Sequence, residues 1–600
     1  MKKIFTFLIR SFAFLGFVVF TVSAIGWTTI LTREKPKLPA SIILKLDFTK
    51  EIPEAAQQNP IKAALGKTGG LSLRDMVSAI DMAAKDNRVK VIVGNFRENS
   101  VSLAGAQELR GAMARVRQYD KPSYAFATSF GEFGPADKAY YLASAFDHVW
   151  LQPMGLVGVT GLAAQSPFIR DALDKVGVKA DFLHREEYKS AMDMLTENDF
   201  TDANAEMLGS ILDDLSMQMV SDIAQERQLL PIALIRLIDT APITASVALK
   251  EKLVTHLGYA DELDDLLDTQ FGEKTKTVAV EDYLGMRRAE LRDQLDKKDK
   301  KAVVAYIQAT GEISQTAGGP ANNDVIVANE TVKAIEAAMD DNDVEAILLR
   351  IDSPGGSAVA SETIRRAVEK AQDMQLPVIV SMGEVAASGG YWIAAQADAI
   401  IANPATLTGS IGVIAGKVTG TPELWNKLGI NWGMITRGDN ADLWTVTGPF
   451  SDTQRAKVDA LVGETYTAFK QHVANARGLS DEQVAAIAKG RVWTGNQALN
   501  LGLVDELGGF ADAVDYTKSM LGVSEDDTIF LKPFPEPENF ATRFVKLLDG
   551  FGGLDASINK LNSVMDSLEP VLSPLLSITT PKSGQVMMQD MHGIVSKEAR

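Results

Sequence analysis

Apolar positions recur along the chain in two rhythms. Short unbroken runs occur at Ile42 to Leu46, Val89 to Val93, Val303 to Ile307, Val344 to Leu349 and Leu376 to Val380, and they predict buried strands. In Val77 to Val89 and Val332 to Val344 apolar residues return every three or four positions, which predicts amphipathic helices closing on a turn. Strand and helix alternate through most of the chain, the pattern of an α/β protein with mostly parallel sheets. Two stretches break the rhythm. Phe12 to Leu31 is 20 residues without a charge, enough for a bilayer core, and predicts one transmembrane helix. Phe544, Leu547, Leu548, Phe551, Leu554, Ile558 and Leu561 fall at helical spacing before Pro570, Pro574 and Pro581. That predicts an amphipathic helix, packed or on a membrane surface, followed by a disordered tail.

The elements come round twice. Val77 to Val89 aligns with Val332 to Val344 without a gap. Ser129-Phe-Gly-Glu132 aligns with Ser381-Met-Gly-Glu384, and Tyr140-Tyr-Leu-Ala143 with Tyr391-Trp-Ile-Ala394. Gly158-Val-Thr-Gly161 parallels Gly409-Ser-Ile-Gly412, and Asp261-Glu-Leu263 parallels Asp505-Glu-Leu507. Self-similarity of this kind marks a diverged duplication. The expected organisation is a short N-terminal segment (1–11), a transmembrane anchor (12–31) and a first repeat (41–295). A charged linker (296–301), a second repeat (302–540) and the helix with its tail (541–600) follow.

The two repeats differ in their chemistry. Ser388 stands opposite Asp137 with a one-residue insertion, Ser410 opposite Val159, and Ser353-Pro-Gly-Gly-Ser357 opposite Glu98-Asn-Ser-Val-Ser102. Ser388 sits on a strand-to-helix turn among alanines and glycines, a setting that suits a nucleophile. Position 386 is Ala, however, where the nucleophile-elbow pattern has Gly. The plainer reading is a tight turn whose small residues allow close packing. Gly355 and Gly356 can take backbone angles that expose an N–H, and with the N–H of Gly389 one of them would form an oxyanion hole. An ordinary Pro-Gly turn fits that stretch equally well.

A serine nucleophile needs a base. The five histidines are His148, His184, His256, His472 and His592, and none lies near a serine turn in the second repeat. A triad would need one of them, His184 first, to fold in from elsewhere. The other route is a lysine, since burial lowers a lysine's pKa and leaves an amine able to take the serine proton. Lys189, in Arg185-Glu-Glu-Tyr-Lys-Ser-Ala191 of the first repeat, is the candidate; its counterpart region near Asn440 and Ala441 has no lysine. Each repeat lacks what the other has, which fits one site assembled from both. Read by composition alone, Lys189 is one more surface charge.

Composition narrows the field. A net charge of −18 and a pI of about 4.9 argue against a nucleic-acid binder. The chain has no cysteine, which excludes disulfides, a thiol nucleophile and thiolate metal sites. Lys2, Lys3 and Arg10 precede the apolar stretch and Arg33, Lys35 and Lys37 follow it, so charge sets its orientation only weakly. Val22-Ser-Ala24 could serve as a cleavage site, but the run continues past it, which favours an uncleaved anchor and an exported body.

Glu187-Tyr-Lys-Ser-Ala191, Asp352-Ser-Pro-Gly-Gly-Ser357, Ala386-Ala-Ser-Gly-Gly-Tyr-Trp392 and Leu407-Thr-Gly-Ser-Ile-Gly-Val413, in this order over both repeats, resemble the signal peptide peptidase A (protease IV) family. The long, duplicated form is the nearest in pattern. The resemblance implies two tandem Clp-protease/crotonase-like domains behind one transmembrane helix. It implies Ser388 as nucleophile, Lys189 as general base and Ser410 as the residue that orients the lysine. Gly355 and Gly389 would supply the oxyanion N–H groups. No metal or other cofactor is implied. The implied setting is the outer, periplasmic face of the inner membrane, as a homo-tetramer acting on signal peptide remnants and other short or unfolded peptides. Two other readings stay open: a crotonase-like acyl-CoA enzyme and an inactive membrane scaffold. Ser410, equally flanked by glycines, is the alternative nucleophile.

Overall fold

A parallel strand covered on both faces needs an unbroken apolar run, and the chain supplies such runs in both of its parts. The computed structural model describes residues 37–55, 70–295, 302–316, 325–524, 527–536 and 587–589. In the first part β1 (Ile42–Phe48), β2 (Val89–Phe96), β3 (Ser123–Ala127) and β4 (His148–Leu151) pair in parallel. Short strands at His256–Leu257 and Lys276–Ala279 complete this six-stranded sheet. β5 (Val178–His184) stands outside it. In the second part come β6 (Val303–Thr310), β7 (Val344–Ser353), β8 (Gly355–Ser357), β9 (Val378–Ala387), β10 (Leu407–Gly409) and β11 (Ile414–Gly420). Here β6, β7, β9 and β10 are the centre of an eight-stranded sheet, also parallel at its core. Met587–Gln589 forms the last strand, β12.

Each sheet is covered by helices whose apolar stripe faces it. α1 (Leu73–Lys85) packs on α2 (Leu103–Arg117) over the first sheet. α3 (Asp202–Arg227) follows in the first part. α4 (Ala328–Met339) packs on α5 (Ala358–Asp373) over the second sheet. α6 (Gly389–Ala394) is a single buried turn or so, and α7 (Asp452–Arg477) is long. α1 starts on a capping box: the Asp75 N–H donates to Ser72 Oγ, and the Ser72 N–H to the Asp75 carboxylate.

The parts are joined by a third sheet that draws strands from both. β5 pairs antiparallel with β11 along its whole length, from His184 opposite Ile414 to Val178 opposite Gly420. A buried charge cluster forms a second joint. Arg350, on β7, pairs with Glu54 at 2.7 Å and with the buried Glu108 at 2.6 Å, both from the first part. It also donates to Ser381 Oγ and Met382 O, while Asn403 donates to Glu108.

One expectation needs correction. Among the described residues no helix is long and apolar enough to cross a membrane. The membrane-anchored placement, with its periplasmic localisation and the inner membrane as partner, is withdrawn on that finding. The stretch expected to form the anchor, 12–31, lies outside the described residues, as do the linker at 296–301 and all of 541–600 except β12. The fold is α/β parts with an internal duplication, and among the described residues no helix crosses a membrane.

Arg350→Ala would leave two carboxylates facing each other without their cation. It should lower the free energy of unfolding by about 3–5 kcal/mol in a denaturant titration. An unchanged midpoint would show that the cluster does not hold the parts together.

Candidate active site

The site begins with a forced turn at the end of β9. Ser388 has φ 54° and ψ −115°, a region that a residue with a Cβ enters only under constraint. The constraint is visible on both sides. The Ser388 N–H donates to Gly409 O at 2.9 Å, and Ser388 O accepts the Trp392 N–H at 2.9 Å as α6 begins. The residue is fully buried. Its neighbours must be small: a methyl at Gly389 would stand 2.6 Å from Ser361 Oγ and 3.3 Å from Gly355 Cα.

Lys189 arrives from the other part. After β5 the chain stays against β11, with the Arg185 N–H on Val413 O at 2.9 Å and the Arg185 guanidinium clamped on Asp459 of α7. The Tyr188 N–H then donates to Lys489 O, which leads Lys189 inward. Gly490 makes room, since a methyl there would fall 2.6 Å from Lys189 Cβ. Lys189 is only 1% exposed. Its Nζ donates to Ser388 Oγ at 3.0 Å, to Ser410 Oγ at 2.8 Å and to Ser410 O at 3.3 Å. Ser410 is also buried and also has positive φ, 49°, with its N–H on Arg491 O. An amine within 3.0 Å of a serine hydroxyl is in reach of its proton.

The glycine pair lies beside this. Gly355 and Gly356 have φ 108° and 149°, and a methyl at Gly356 would collide with Ile313 O at 2.2 Å. The Gly355 N–H is held by Ser353 Oγ at 3.2 Å. The structure thus brings together Ser388, Lys189 and Ser410, with Gly389 packed on Gly355. It does not bring the described histidines in. His184 Nδ1 lies against Glu186 O, His148 stacks on Tyr124, His256 stacks on Trp150, and His472 contacts Trp392 O. His592 lies outside the described residues. Among the described residues no cluster of His, Asp and Glu could hold a metal ion.

Sequence reasoning named Asp352 and Ser353 only as members of a motif, without a role, and passed over Gly490. Gly490 carries no motif, and only its contact with Lys189 reveals its use. Asp352 Oδ1 accepts the Val385 N–H at 3.0 Å and so ties β7 to β9, the strand that leads into Ser388. Burial, and then the nearby Glu54 carboxylate, pushes the Asp352 carboxyl up to about 7. Burial raises Glu384 as well.

A family model described as "Peptidase family S49" matches residues 115–272 and 370–524. The first span contains Lys189 and the second Ser388, Gly389 and Ser410; Gly355 lies outside both. Protease 4 of Haemophilus influenzae is 31% identical over 554 residues, covering 87% of this chain and 86% of that protein. Protease 4 of Salmonella typhi is 31% identical over 524 residues, covering 83% and 82%. The chloroplastic serine protease SPPA of Arabidopsis thaliana is 27% identical over 511 residues, covering 83% and 73%. Among solved structures, a ClpP1 variant from Listeria monocytogenes matches 38% of this chain at 17% identity with a TM-score of 0.24. That likeness carries no argument about the fold, which stands as a duplicated α/β arrangement. The three relatives are all proteases, and they lend nothing to the acyl-CoA or scaffold readings. The membrane-anchored role against signal peptide remnants is corrected to serine peptidase activity alone, for want of a membrane helix among the described residues. Nor does the chemistry require a tetramer, because Lys189 and Ser388 meet within one chain.

The raised Asp352 gives a testable pH dependence. Between about 4, where a free aspartate ionises, and about 7, the folded chain keeps this proton and the unfolded chain does not. Stability contributed by Asp352 is therefore present below that window and lost as pH rises through it. Asp352→Asn, which retains the acceptor oxygen, should flatten the fall in denaturant midpoint across the window. A variant as steep as wild type would assign the slope to other groups.

Proposed function

The chain belongs to peptidase family S49 and is a serine peptidase, and on that premise we propose that it cleaves peptide bonds with Ser388 as nucleophile and Lys189 as general base. The observation that carries this reading is the 3.0 Å contact between Lys189 Nζ and Ser388 Oγ, made by a lysine buried to 1% exposure. Lys189, acting as the neutral amine, takes the hydroxyl proton as Ser388 Oγ attacks the scissile carbonyl. The N–H groups of Gly355 and Gly389 receive the developing oxyanion, the Gly355 N–H turning away from Ser353 Oγ to do so. Lys189 then gives its proton to the leaving amine. Water attacks the acyl-enzyme with the same amine as base, which restores the serine. Ser410 holds Nζ through its hydroxyl and its carbonyl, so that the amine faces Ser388.

The reading separates the two serines. Ser388→Ala and Lys189→Met should each lower kcat for a quenched-fluorescence peptide by about four orders of magnitude, with folding intact by circular dichroism. Ser410→Ala should cost about 10–100-fold, as expected for a residue that orients the base without attacking. Turnover retained in Ser388→Ala and lost in Ser410→Ala would make Ser410 the nucleophile.

A further inference from the structure

Lys189 lies on an irregular stretch between β5 and the short helix Asp193–Thr196. Such a stretch has no ladder of its own to hold an amine 3.0 Å from Ser388 Oγ. Much of the hold comes from residues 489–491 of the second repeat, between the helix Asp481–Ile487 and the strand Val492–Thr494. On one side the Tyr188 N–H donates to Lys489 O, and Gly490 lies against Lys189. On the other the Gly490 N–H donates to Ile411 O, and Arg491 O accepts the Ser410 N–H at 2.8 Å. One short segment thus grips the main chain beside the base and beside the serine that orients it.

The side chain that fixes this segment is Arg491. Its guanidinium carbon lies 4.9 Å from the centre of the Tyr188 ring and 4.5 Å from that of Trp493. Tyr188 immediately precedes Lys189. Trp493 lies beside Gly409, where a methyl would stand 2.9 Å from its Cδ1, and Gly409 immediately precedes Ser410. The same guanidinium meets both carboxylate oxygens of Glu206 on α3, with Nη2 to Oε1 at 2.9 Å. A planar guanidinium can stack on rings and fork onto a carboxylate at once, which an ammonium cannot. The neighbouring Lys489–Glu187 pair, at 3.0 Å, is nearly half exposed on both sides and adds little.

The first repeat supplies a contrast. Leu156 pairs with Thr244 there as Leu407 pairs with Thr494 here, so the two ladders correspond. Arg491 stands three residues before Thr494, and Ala241 three residues before Thr244. The repeat that has Asp137 in place of Ser388 therefore has no guanidinium at the matching place.

We propose that Arg491 is a positioning residue for the peptidase reaction: stacked between Tyr188 and Trp493 and anchored on Glu206, it sets the place of Lys189 Nζ between Ser388 and Ser410. The proposal rests on the assignment of Lys189 as base made above. Without the guanidinium Tyr188 loses its stacking partner, and the stretch that carries Lys189 loosens from the second repeat. Water then reaches the amine and favours its ammonium form, which cannot take the serine proton. Arg491 contacts neither Ser388 nor Lys189 Nζ, so its loss falls on kcat and on the pH at which the base becomes active. The Arg491 guanidinium holds the Glu206 carboxyl below its usual range, so this pair stays ionised where the lysine titrates.

The test is kcat and KM for a quenched peptide, measured across pH on the full chain, with folding followed by circular dichroism. Arg491→Met should lower kcat by about 30–100-fold and move KM by less than about twofold. The acid limb of its kcat/KM profile, which reports the free base, should move up by about one pH unit. Arg491→Lys, which keeps the charge, should recover part of the loss. Glu206→Gln should cost about 3–10-fold with a limb shifted the same way, and should add nothing to Arg491→Met. Folded Arg491→Met with the wild-type kcat, or with a lowered kcat and an unmoved acid limb, would overturn the proposal. If Arg491→Met does not fold, Glu206→Gln decides: the wild-type profile in that variant would overturn it too. In each of these cases an inactive Lys189→Met leaves the dyad standing, whereas Lys189→Met that still turns over would overturn the base assignment and this proposal with it.

Discussion

The molecule depends on one pairing of strands from opposite parts of the chain. β5 and β11 run antiparallel for seven residues, and the ends of that pairing lie close to the chemistry. His184, five residues before Lys189, stands opposite Ile414, four residues after Ser410. A one-residue slip would turn each side chain to the opposite face and carry Lys189 away from Ser388. The clamp of Arg185 on Asp459 and the seat provided by Gly490 resist such a slip. The Arg350 cluster, which binds Glu54 and Glu108, ties the same two parts elsewhere.

Around that pairing the backbone is held in costly shapes. Ser388 and Ser410 both have positive φ, and both are pinned by main-chain hydrogen bonds, Ser388 to Gly409 O of β10 and Ser410 to Arg491 O. Glycines stand where a Cβ would collide, at 356, 389 and 490. These departures gather at one place, where Lys189 meets two serines, and strain that persists under such bracing is a common mark of a functional site. In the first repeat the position opposite Ser388 is Asp137, whose carboxylate accepts the Gly161 N–H. The same turn is used there for a structural hydrogen bond.

The third sheet reaches the site from three places in the sequence. Its strands come from the first part, the second part and the C-terminal end, and β8 begins at one of the glycines assigned to the oxyanion hole. β12 pairs antiparallel with β8 and, at Met587, with β11.

Periodicity, self-comparison and the serine and glycine motifs all lie in short stretches, and from these the sequence alone determined an α/β pattern with an internal duplication and a short set of residues to examine, Ser388, Lys189, Ser410, Gly355 and Gly389; the peptidase reading came with the family resemblance those motifs carry. Buried apolar runs and small-residue turns declare themselves locally because they are responses to burial and close approach. The membrane anchor read from a charge-free stretch finds no counterpart among the described helices. Hydropathy alone records only that a segment is apolar. Only the tertiary structure decided the rest: that β5 leaves its own sheet for β11, that Gly490 seats Lys189, that Asp352 braces the serine strand, and that residues 587–589 lie along Gly355. Each is a contact between residues scores or hundreds of positions apart, and neither residue of such a pair bears a local pattern that reveals its partner.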